Sequence, residues 1–171
     1  TGVVKLPEDK PEIFANYIVL LYGGAAPSFK APDKSDLEPL AYNAEFKADI
    51  GKLQELLSHL YVFAEKIQDT AAKQAILTAM IKSNTVPDNF GKYCSPDETV
   101  ANIVYNGTPA LDPMRRFITD CAVFLGTTGW PKDTSKYHHE HLMDIVAGMW
   151  HSRPLPSQSI RNSLWDPDNY L

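Results

Sequence analysis

Apolar residues recur along this chain at three- and four-residue spacing, the pattern of helices that bury one side. After Val3-Val4-Lys5-Leu6, whose composition is that of a short strand, Asp9-Lys10-Pro11-Glu12 predicts a helix start with Asp9 as cap and Glu12 at the capping-box position. Ile13, Phe14, Tyr17, Ile18, Leu20 and Leu21 then form a broad apolar stripe, and Gly23-Gly24 supplies the backbone freedom that ends it. From Ala25 to about Ala48 the residues turn to Pro, Lys, Asp and Ser, which predicts a long loop with a short helical turn near Leu37. Ile50, Leu53, Leu57, Leu60, Ala64 and Ile67 mark the clearest helix, and Asp69-Thr70 recaps the chain ahead of Ala72, Ala75, Ile76, Ala79 and Met80. Together these two segments predict a helical hairpin.

Three further helices follow. Ser95-Pro96-Asp97-Glu98 places a hydroxyl cap, a first-turn proline and a capping-box glutamate before Val100, Ile103 and Val104. Asp112-Pro113 repeats the device before Met114, Phe117, Ile118, Cys121, Phe124 and Leu125, and Gly126 closes that segment. A last helix over about Lys136 to His151 carries Leu142, Ile145, Val146 and Met149 on one face. Residues 153–171 are rich in Pro, Ser, Asn and Asp and predict an irregular tail, with Trp165 and Tyr170 expected to anchor it onto the body.

Composition narrows the function classes. A chain of 171 residues with 44% hydrophobic content has the material for an ordinary core. A formal charge of −5, with no local Lys/Arg stripe, argues against nucleic acid as a partner. The longest apolar run, Tyr17 to Tyr22, is far short of the roughly 20 residues that span a bilayer, so no membrane segment is expected. No signal-peptide pattern appears, which makes cytoplasm or nucleus the expected location. Cys94 and Cys121 suit neither a disulfide framework nor a paired-cysteine zinc site; both read as reduced, with Cys121 in the core. Asn106-Gly107-Thr108 matches the glycosylation acceptor pattern, but a match so short arises by chance and the expected compartment argues against its use.

Candidate chemistry is sparse. His138 and His141 in His138-His139-Glu140-His141 share a helix face, but two imidazoles make half a metal site, and only Asp144 or Asp133 lies near enough in sequence to extend it. A solvated helix start is the plainer reading. A small helical metal-binding protein or enzyme using His138 and His141 is the alternative function. No nucleophile elbow, glycine-rich phosphate cradle or Walker-type lysine is present, so no catalytic, cofactor-binding or metal residues are assigned and no cofactor is expected. Arg115-Arg116 reads as structural, with Arg116 forming an i,i+4 surface pair with Asp120. Tyr17, Tyr22, Tyr61 and Phe63 read as core.

Several segments resemble one family in order and spacing. Leu6-Pro7-Glu8-Asp9-Lys10-Pro11-Glu12-Ile13-Phe14 with Leu20-Leu21-Tyr22-Gly23-Gly24 resembles the middle of a BTB/POZ domain. Leu60-Tyr61-Val62-Phe63-Ala64-Glu65-Lys66-Ile67-Gln68-Asp69 looks like the next helix of that fold, and Lys73 to Ile81 like the one after. Ile103 to Pro109, then Pro113 to Asp120, is similar to the helical extension of fungal BTB-domain proteins. The resemblance covers roughly residues 3 to 125. It implies a mainly α fold: the helical half of a BTB/POZ domain with one residual strand in residues 1–84, a three-helix extension in 85–152, and the tail. The strand pair and helices that open the family's domain have no counterpart here, which implies a fragment lacking much of the usual dimer interface and puts homodimerisation through it in doubt. As a function the resemblance implies a non-enzymatic adaptor for protein partners, in some relatives cullin-type ubiquitin ligases and in others transcriptional regulators.

Overall fold

The computed structural model describes residues 10–30, 38–126 and 133–153. Within them the chain is mainly helical: α1 Pro11–Gly23, α2 Pro39–Lys66, α3 Thr70–Ser83, α4 Glu98–Gly107, α5 Pro113–Leu125, a short 3-10 turn Thr134–Lys136, and α6 His139–Ser152. The expected strand at Val3–Leu6 and the tail aromatics Trp165 and Tyr170 lie outside the described residues. Among the described residues the β interaction is a single antiparallel bridge, Pro87 to Tyr93. It closes a turn in which Asp88 Oδ1 accepts the backbone N–H groups of Phe90 at 2.8 Å and Lys92 at 2.9 Å.

Local sequence explains most boundaries. Asp69, Asp97 and Asp112 each accept a backbone N–H of the first turn, those of Ala72, Val100 and Met114 respectively. The cap of α4 is therefore Asp97, not the expected Ser95: Pro96 stays outside the helix, and the carboxylate two residues after Ser95 accepts the Val100 N–H. The cap position of α1 is Lys10 rather than Asp9, and Pro11 begins the helix with its preset φ. Gly24, at φ 68°, ends α1 by donating its N–H to the Leu20 carbonyl at 2.9 Å.

The largest departure from the sequence reading is α2, which starts at Pro39, so ten of the residues expected in the loop before it are helical. Tyr42, Phe46 and Ile50 recur every fourth residue and are all buried, while Glu45, Lys47 and Asp49 face outward or toward the rim. So narrow a stripe in charged surroundings looks like loop in composition and like helix only in spacing.

The 28-residue α2 serves two apolar clusters. The larger joins Ile13, Tyr17 and Leu20 of α1 to Leu57, Leu60, Tyr61, Phe63 and Ala64 of α2, Ile76 and Met80 of α3, Val100 and Val104 of α4, and Met114 and Ile118 of α5. The smaller gathers Tyr42, Phe46 and Ile50 with Phe29, Val86 and Cys94. Between them lies a buried polar belt, where Gln54 Nε2 donates to Asn84 Oδ1 and to the Cys94 carbonyl, both at 3.3 Å. The predicted α2–α3 hairpin is present, α4 lies on α2, α5 on α3 and α4, and α6 on α5 and α4.

Candidate functional site

The N-terminus of α5 gathers two polar networks. Asp112, almost wholly buried, accepts the Met114 N–H at 2.8 Å, the Tyr61 hydroxyl at 2.9 Å and the Lys73 ammonium at 2.8 Å. Lys73 also bonds Glu65 and lies over the Tyr61 ring, 4.8 Å from its centroid. Burial alone would lower the Lys73 pKa, but the hydrogen bonds to Asp112 and Glu65 outweigh it and hold the ammonium charged. Burial, reinforced by the Asp112 carboxylate, pushes the Tyr61 phenol well above its ordinary range.

One turn further along, Arg115 is buried too. Its Nε donates to Thr108 Oγ1 at 3.0 Å, its Nη2 to the Tyr105 carbonyl at 2.7 Å and to the Thr108 carbonyl, and its Nη1 to Glu140 of α6. The guanidinium stacks on the Tyr105 ring at 4.5 Å. The Tyr105 hydroxyl lies 2.9 Å from Thr119 Oγ1 and donates to Asp144 at 2.7 Å. Burial raises the Tyr105 pKa, so the phenol stays protonated. Arg116 behaves as expected, exposed and 3.9 Å from Asp120.

Of the histidines read as a solvated helix start, His138 and His139 stand there, half-buried and exposed at the beginning of α6, but His141 does not. His141 is 1% exposed, its ring 4.9 Å from that of Tyr105, and its Nδ1 has no hydrogen-bond partner among the described residues. Burial lowers its pKa to about 4, the Asp144 charge opposing and His138 reinforcing the shift. His138 caps α6, its Nδ1 accepting the Glu140 N–H at 3.3 Å. Both carboxylates that sequence offered to this pair are engaged elsewhere: Asp133 with the N–H and hydroxyl of Ser135, Asp144 with Tyr105. Among the described residues no group of three or more His, Cys, Asp or Glu side chains is placed to hold a metal ion.

The surface over these networks is an open cleft of about 960 Å³ between α5 and α6, with Leu111, Met143 and Ala147 as its apolar wall and Arg116, Thr119 and Asp144 on the polar one. Leu111 is 98% exposed and sits at φ 66°. The expected buried face of α6 is displaced: His141 and Ile145 are inward, while Val146, Met149 and Trp150 are exposed. Gly148 lies one turn beyond Ile145, where a Cβ would meet Val123 Cγ2 at 2.8 Å, so α6 approaches α5 closely at this point. Tyr17, Tyr61 and Phe63 are core, but Tyr22, expected with them, is 87% exposed beside Val19 and Leu21 at the end of α1.

Sequence reasoning missed Lys73, Tyr105, Asp112 as a charge partner, and Arg115 as a buried clamp. A signal for the last was present: Arg115 shares the face of Ile118 and Ala122, three and seven residues on, where a cation implies a built partner set. Cys121 is buried and its thiol pushed up to about 11; Cys94 is raised as well, so both are thiols at neutral pH. Thr108 of the acceptor-like tripeptide is buried, its hydroxyl donating to the Val104 carbonyl at 2.6 Å. No described helix is long and apolar enough to cross a membrane. Comparison with protein-family models, with curated proteins and with solved structures gave no match.

Proposed function

We propose that this chain is a protein-interaction module of the BTB/POZ-like adaptor kind, using exposed apolar helix faces to dock a protein partner, a cullin-type scaffold or a transcriptional regulator. The observation that carries the reading is α1. Ile13, Tyr17 and Leu20 on one side enter the core, yet Phe14, Val19, Leu21 and Tyr22 on the other remain 47%, 65%, 51% and 87% exposed. Large apolar side chains left uncovered along one helix are the kind of surface that partners cover.

The test compares the chain with its Val19→Asp/Tyr22→Asp variant as bait in fungal extract, captured proteins being identified by mass spectrometry. Stoichiometric recovery of a cullin scaffold or a transcriptional regulator by the parent, lost in the variant at unchanged thermal stability, is the expected result. Equal recovery by both baits, or none by either, overturns the docking role of α1.

A further inference from the structure

Helix α6 is attached differently from the other five. None of its side chains belongs to the main apolar cluster, and among its described residues only His141 and Ile145 are buried. What holds it is largely polar: Tyr105 to Asp144, Arg115 to Glu140, and Asn102 Oδ1 accepting the His138 N–H at 2.7 Å. At the centre of this seam is the His141 ring, enclosed by Tyr105 and Tyr137, with Nδ1 buried and unpartnered.

We propose that α6 is a proton-operated latch: taking up a proton at His141 frees α6 from α4 and α5 while the α2–α3 hairpin stays folded. A second N–H on an imidazole without an acceptor adds a buried charge and an unsatisfied donor at the same moment. Among the described residues the ionisable groups facing the ring are Tyr105 from α4, His138 and Tyr137 from the segment before α6, and Asp144 on α6; the Arg115–Glu140 pair lies behind Tyr105. Of these groups only Asp144 favours the protonated ring, and its carboxylate is already bonded to Tyr105. Release uncovers Tyr105, Thr119 and Val123, which α6 covers at neutral pH.

The sign follows from the two states. His141 titrates near its ordinary 6.5 when α6 is free and at about 4 when docked, so the free state binds more protons between those values. Docking is at full strength above about 6.5 and is lost as pH falls toward about 4.

Hydrogen exchange on the whole chain from pH 7.5 to 4.5, corrected for the intrinsic pH dependence of exchange, reads this directly. Protection of α6 is expected to fall about tenfold per pH unit below about 6.5, with the hairpin unchanged. His141→Phe keeps a ring against Tyr105 but takes up no proton, and should flatten the profile. Gly148→Leu drives a side chain into Val123 and should strip α6 of protection at neutral pH with the hairpin intact. The latch is wrong if α6 and the hairpin lose protection together, if His141→Phe keeps the parent's pH slope, or if Gly148→Leu unfolds the hairpin.

Discussion

Arg115 holds three chain segments with one guanidinium: the end of α4 through the Tyr105 carbonyl, the following turn through Thr108, and α6 through Glu140. Removing it takes a donor from two carbonyls, those of Tyr105 and Thr108, and the cation from Glu140, so Arg115→Met is expected to cost about 2–4 kcal/mol in urea unfolding. Arg115→Lys should recover only part of that, because an ammonium lacks the planar fork that reaches all three. Asp112 and Asp97 offer a controlled comparison at two helix starts. Both cap, but Asp112 also neutralises Lys73, which is half-buried. Asp97→Ala should cost about 1 kcal/mol, the ordinary loss of a cap. Asp112→Ala should cost about 3 kcal/mol or more, since it leaves Lys73 with Glu65 alone; equal losses at the two sites would refute the network.

At the scale of elements, two connections contain residues in the left-handed region that glycine occupies without strain. Gln68, at φ 60°, joins α2 to α3, and Leu111, at φ 66°, precedes α5. Gln68→Gly and Leu111→Gly are each expected to raise stability by about 0.5–1 kcal/mol, read as a higher midpoint in denaturant, because the strain of a side chain at positive φ is removed. Gly107 poses the opposite case. It ends α4, where alanine would ordinarily favour the helix, but a Cβ there would run into both methyl groups of Val62. Gly107→Ala should therefore destabilise by about 1–3 kcal/mol, with α2 and α4 forced apart. A neutral Gly107→Ala would mean that Val62 yields easily and that the approach of these helices is not tight.

Over the whole molecule, α2 is the beam on which both apolar clusters rest, and Phe46, with no exposed surface, is the centre of the smaller one. Phe46→Ala is expected to cost about 3–5 kcal/mol and to loosen the Phe29 and Val86 segments before the hairpin, which hydrogen exchange would resolve. The hairpin and the carboxylate helix starts at Asp69 and Asp112 were readable from the sequence because the causes are local: apolar spacing, and an oxygen within reach of the first-turn N–H groups. Asp97 was readable as acidic context but not as the cap, since two polar residues competed for one position. The first turns of α2 were hidden, because four-residue recurrence of Tyr42, Phe46 and Ile50 becomes meaningful only when Phe29 and Val86 arrive to cover it. Sequence alone thus determined the helical character of the described chain, the hairpin and the acidic starts of α3 and α5. Tertiary structure alone decided that His141 and Arg115 are inside while Tyr22 and Trp150 are outside. Whether a polar group is buried, or an apolar one left uncovered, depends on partners and clearances contributed by distant segments, such as Tyr105 for His141 and Val123 against Gly148, and no local pattern encodes them.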